Sequence, residues 1–105
     1  MTEVSRARIR EQIKATAASM LAGQMDLIEG TRRIDALATE LDLGFQAPYV
    51  TFKGIASQTD DFPDDGARTH YAPELLRRLD DEKRRSLELF RAQILDACRL
   101  VLRSD

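Results

Sequence analysis

The chain has 105 residues, 43% of them hydrophobic and 32% charged, which is enough for one hydrophobic core and not for two. Sixteen Lys and Arg against eighteen Asp and Glu leave a formal net charge of -2, which excludes the broad basic field of a non-specific nucleic-acid binder. With 5 glycines and 3 prolines the chain is too poor in turn formers for a fibrous protein, a disordered tail or a many-turned β-sandwich, and an α-rich domain remains.

The segment from residue 3 to about 22 places Ile9, Ile13, Ala17, Met20 and Leu21 at helical spacing, with Arg6, Arg10, Glu11 and Lys14 mostly in other directions. That pattern predicts an amphipathic helix that Gly23 weakens or ends. A second helix is predicted over about 25–42, where Leu27, Gly30, Ile34, Leu37 and Leu41 step by three and four. Gly30 falls on this apolar stripe. A glycine there costs about 1 kcal/mol of helix propensity, which close approach of another element would offset; the alternative is that Gly30 marks a break and Thr31 caps a shorter helix, and the spacing that continues through the glycine favours the close approach.

Residues 43–71 show no convincing helical period. Phe45, Tyr49, Phe52 and Phe62, with Val50 and Ile55, nevertheless carry too much apolar surface for a free tail. The expectation is an ordered aromatic loop laid across the helices, extended at Tyr49 to Phe52 and turning at Lys53-Gly54. The last third then reads as one long helix over about 73–103. Pro73 suits its first position, Glu74 favours its positive end, and no Gly or Pro interrupts it. Leu76, Leu79, Leu87, Phe90, Ile94, Ala97 and Val101 form its stripe, which thins at Lys83 and Ser86. Glu74 with Arg78, Asp81 with Arg85, and Arg84 with Glu88 stand at i,i+4 spacing. The fold class is therefore all-α: two antiparallel helices and a long C-terminal helix in a single helical domain, with an ordered loop between the second and third.

The string Phe52, Gly54, Ile55, Ser57, Thr59, Asp60 and Pro63, followed by Tyr71 and Ala72-Pro73-Glu74, resembles a group of small bacterial proteins of uncharacterised function. Leu27-Ile28-Glu29-Gly30 with Arg33, and the late Ala97-Cys98, are similar to their other segments, so the resemblance runs from about Leu21 to Val101. It implies a compact helical fold with a characteristic loop and carries over no catalytic residue. Two positions depart from the pattern: Ala56 stands where an acidic residue is frequent, and Tyr71 where tryptophan is.

Chemistry has few places to sit. Ser57, Thr59, Asp60 and the sole histidine, His70, are the ingredients of a hydrolytic or small-molecule site, but no nucleophile-elbow glycines surround Ser57. Short polar side chains in such loops ordinarily bond to backbone. Asp60, Asp61, Asp64 and Asp65 lack the cadence of a calcium loop, and one Cys with one His does not make a zinc cluster, so no metal or other cofactor is expected. Cys98 lies beside the helix seam and reads as a small buried apolar residue. The Arg77-Arg78 and Lys83-Arg84-Arg85 clusters are interrupted by acids and lack stacking aromatics, so no nucleic-acid partner is expected.

The reading that remains is a small non-enzymatic interaction protein. Asp60, Asp61, Asp64 and Asp65 would steer a basic partner, with Phe62 or Tyr71 as apolar anchors. The alternative is a small-molecule-binding or hydrolytic domain using Ser57, Thr59, Asp60 and His70. Leu75, Leu89, Leu95, Leu100 and Leu102 add apolar surface off the main stripe of the last helix, which suggests a homodimer through that helix. A single cysteine, a polar N-terminal stretch and no apolar run of membrane length point to a cytoplasmic protein with no membrane partner.

Overall fold

In the computed structural model, which describes residues 1–63 and 66–104, Thr2 opens α1, Glu3–Leu21, by accepting the Ser5 amide on its hydroxyl at 3.1 Å. The helix ends in a Schellman motif. Gly23 takes a φ of 75°, its amide donates to the Met20 carbonyl, and the Gln24 amide donates to Ser19 at 2.9 Å. Three residues on, Asp26 caps α2, Leu27–Glu40, with a carboxylate that accepts from the Glu29 amide at 2.9 Å. This helix closes the same way, now with Asp42 in the left-handed position at φ 57° and Leu43 donating to Ala38.

The stretch expected to be a loop contains a further helix, α3, Tyr49–Gln58. Tyr49 to Phe52 are helical rather than extended, and Lys53-Gly54 lies inside the helix rather than at a turn. The reason is burial on one face: Phe52, Ile55, Ala56 and Thr59, spaced by three, one and three, all point inward. The loop aromatics divide accordingly. Phe52 and Phe62 are buried, whereas Phe45 is 87% exposed and does not pin the segment. A 3-10 turn at Ala67–His70 leads into α4, Pro73–Arg103, with Pro73 at its first position. No strand occurs among the described residues, and the all-α class holds.

Ile13, Ala17 and Met20 from α1, Ile28 and Ile34 from α2 with Leu41 at its C-cap, Phe52 and Ile55 from α3, and Ile94, Ala97, Cys98 and Val101 from α4 form the core. Gly30 sits on the buried face of α2 because Met20 occupies the space beside it. A Cβ at Gly30 would fall 2.4 Å from the Met20 sulfur. The Cys98 thiol donates to that same sulfur at 3.8 Å, so α1, α2 and α4 meet around one methionine.

The fully buried residues of α4 all lie between Ile94 and Val101. Leu87 and Phe90 are only partly covered. Where the apolar stripe thins, Lys83 forms an ion pair with Asp26 at 3.3 Å, which ties α4 to the start of α2. The surface pairs on α4 differ from the i,i+4 expectation. Arg84 meets Asp81 at 3.2 Å and Arg99 meets Asp96 at 2.7 Å, both at i,i+3.

Candidate functional site: a braced acidic turn

α3 ends at a turn that its own backbone closes. The Thr59 hydroxyl donates to the Ile55 carbonyl at 2.8 Å, and the Phe62 amide returns to the Thr59 carbonyl at 3.3 Å. That bond spans four residues and places Asp60 and Asp61 at the two corners, both exposed. Phe62 folds inward to 8% exposure and seals the turn from below.

The turn is held from outside its own segment by Arg32. The guanidinium of this α2 residue donates to the Thr59 carbonyl and, at 2.9 Å, to the Phe62 carbonyl, while also approaching Glu29 at 3.4 Å. Both bonds to the turn come from the one nitrogen Nη2, whose two hydrogens suit this double reach, while Nη1 faces Glu29. Arg32 satisfies both ends of the turn and leaves its two carboxylates facing solvent without an ion pair among the described residues. The sequence reading passed over Arg32. No spacing within α2 marks it, because its partners are main-chain carbonyls 27 and 30 residues away.

Farther along, Arg68 in the 3-10 turn grips Asp80 of α4 with two parallel bonds of 2.6 and 3.0 Å. The Arg68 guanidinium holds the Asp80 carboxyl below its ordinary value. Tyr71, between the 3-10 turn and α4, is 37% exposed. Asp64 and Asp65, expected to share the acidic surface, lie outside the described residues.

The residues of a hydrolytic site are not assembled. Thr59 is fully buried with its hydroxyl committed to backbone, Ser57 and His70 are exposed, and no hydrogen bond links Ser57, Asp60 and His70 among the described residues. A nucleophile needs a base within hydrogen-bond reach, and that relation is missing here. Among the described residues no group of three or more His, Cys, Asp or Glu could hold a metal ion. Burial pushes the Cys98 thiol up to about 11, against a smaller opposing effect of Arg99, so the sulfur is a poor nucleophile.

Clefts elsewhere have other linings. One of about 140 Å³ holds Phe45 and Lys53, whose ammonium lies 5.3 Å from the Phe45 ring and 3.5 Å from Asp35. Another, of about 260 Å³, is bordered by Arg10, Lys14, Tyr49 and Ser104. Burial raises the Tyr49 phenol, with Arg10 opposing.

An all-helical body of this size, with a braced acidic turn and no assembled catalytic group among the described residues, defines a class and not a reaction. A family model described as "Protein of unknown function (DUF2489)" matches residues 1–101, and the chain belongs to that family. No curated protein and no solved structure matches it.

Proposed function

We propose that the protein is a non-enzymatic interaction module that docks a basic segment of another protein on the Asp60–Asp61 turn. One observation carries the reading: Arg32 bonds both ends of the turn, so two exposed carboxylates with no ion pair among the described residues are carried on a tethered backbone before any partner arrives. Preorganised charge of this kind steers encounter and lowers the ordering cost of binding. Tyr71 supplies an exposed aromatic anchor. Phe62, turned inward, braces the turn instead of reaching the partner. The lone buried thiol of Cys98 suits a reducing compartment such as the cytoplasm. No helix among the described residues is long and apolar enough to cross a membrane. Nothing in the turn calls for a cofactor, and its negative charge is unsuited to nucleic acid.

The test is binding of Lys/Arg-rich peptides followed by amide chemical shifts. The module reading expects shifts centred on Asp60 and Asp61, weakened by added salt and lost in the Asp60→Asn, Asp61→Asn double variant. Shifts confined to another surface would overturn it. So would turnover of a defined substrate that Asp60→Ala abolishes while folding and peptide binding persist.

A further inference from the structure

A different surface, independent of the acidic turn, shows a pattern that a monomer does not need. Leu75, Leu89 and Leu100 of α4 are 38%, 71% and 47% exposed. At about 100° per residue they fall within about 40° of one another, and about 100° around the helix from the buried stripe of Ile94, Ala97 and Val101. They are therefore one flank of α4, facing away from the core over most of a 31-residue helix. Between the leucines this flank carries Arg78, Glu82 and Asp96, of which Arg78 and Glu82 have no ion pair among the described residues.

From this arrangement we infer that α4 pairs with α4 of a second copy, antiparallel, along the leucine flank. The charges select the register. In an antiparallel pair, two residues stand opposite each other when their numbers sum to a constant. If Leu75 faces Leu100 of the second copy, Arg78 comes within one residue of facing Asp96 of the second copy. Two-fold symmetry supplies the same pair again. Glu82 then faces the neutral Gln93, and Leu89 lies within a turn of its own symmetry mate at the centre. The competing register that puts Leu75 against Leu89 brings Glu82 onto Glu82 and opposes two carboxylates, which disfavours it. The three leucines of this flank become covered in the first register, while Leu102, 40% exposed, lies on the opposite side of the helix, and opposite charges meet at both ends of the contact.

Sedimentation equilibrium on the full chain tests this, with circular dichroism to check folding; every substituted side chain is exposed, so the monomer fold should survive. Leu89→Glu is expected to weaken dimerisation by about tenfold or more, because the leucine sits at the centre of the contact. Arg78→Glu and Asp96→Arg are each expected to weaken it, by about tenfold at low salt, and their combination to restore it. Rescue by the combined charge swap supports both the surface and the register. A chain that stays monomeric at millimolar concentration and low salt overturns the inference, as does a dimer that these substitutions leave unchanged.

Discussion

Arg32 and Phe62 stand thirty residues apart in the chain, yet the guanidinium of the first bonds the main-chain carbonyl of the second at 2.9 Å. That bond, with its companion to Thr59, makes α2 the support on which the end of α3 is held. The acidic turn is thus tied to that helix at both of its ends.

Arg32→Ala removes both bonds and leaves two part-buried carbonyls to find water. A hydrogen bond to a charged group contributes about 1.5–3 kcal/mol, so a loss of about 2 kcal/mol is expected, measured by urea denaturation. Amide exchange should rise at residues 59–62 more than in α1. Equal protection in that turn before and after substitution would contradict its dependence on Arg32.

Gly30→Ala should destabilise the protein even though alanine is the better helix former. The new methyl group needs space held by Met20, which is itself 2% exposed and cannot move freely aside. Overpacking of this kind costs about 1–3 kcal/mol. A second change, Met20→Ala, opens the space. The pair of substitutions should therefore cost less than the sum of the two taken separately, which a double-mutant cycle measures.

Cys98 predicts an alkaline weakness. Its thiol sits at about 11 in the folded chain against an ordinary value of 9.0, so folding favours the protonated form. The corresponding stability is complete below pH 9, declines as the unfolded chain ionises, and is gone once the pH passes about 11. Tyr49 shifts in the same direction, so the comparison must be made with Cys98→Ala, in which the cysteine part of the decline should vanish. Denaturant midpoints across this pH range provide the measurement. At neutral pH, alkylation of the thiol should follow unfolding rather than precede it.

Asp80 predicts the opposite dependence at the acidic end. Its carboxyl titrates below 3.8 while Arg68 is bound, so the tether is intact above pH 3.8 and is lost as the pH falls through the lowered value. Because the carboxylate is exposed, global stability should change little. Local amide exchange at Ala67–His70 should rise instead, and Asp80→Asn should reproduce that rise at neutral pH.

Elements governed by local signals could be read from the sequence alone. Pro73 and the uninterrupted chain behind it mark the start of α4, and the step through Gly30 marks a close approach that Met20 fulfils. α3 was hidden because Tyr49, Val50, Thr51 and Phe52 favour strands and Gly54 reads as a turn, while tertiary burial decided the outcome. The spacing of Phe52, Ile55, Ala56 and Thr59 was present but occupies little more than two turns. At the acidic turn, Asp60 and Asp61 were visible and their brace was not. Arg32 acts through a contact thirty residues away, and no periodicity in α2 distinguishes an arginine that reaches a carbonyl from one that faces water. The same holds for Arg68 and Asp80, whose i,i+12 separation belongs to no helical pairing rule.

The uneven embedding of α4 implies that the chain does not melt as one unit. Its closing third is locked among α1, α2 and α3, whereas its opening turns hang on a lysine, a surface carboxylate and the residues just before Pro73. In the monomer, fraying should therefore begin at Pro73 and stop near Leu87, giving a gradient of opening free energies along a single uninterrupted rod. Such a rod can shed its leading half and re-form it while everything downstream stays native.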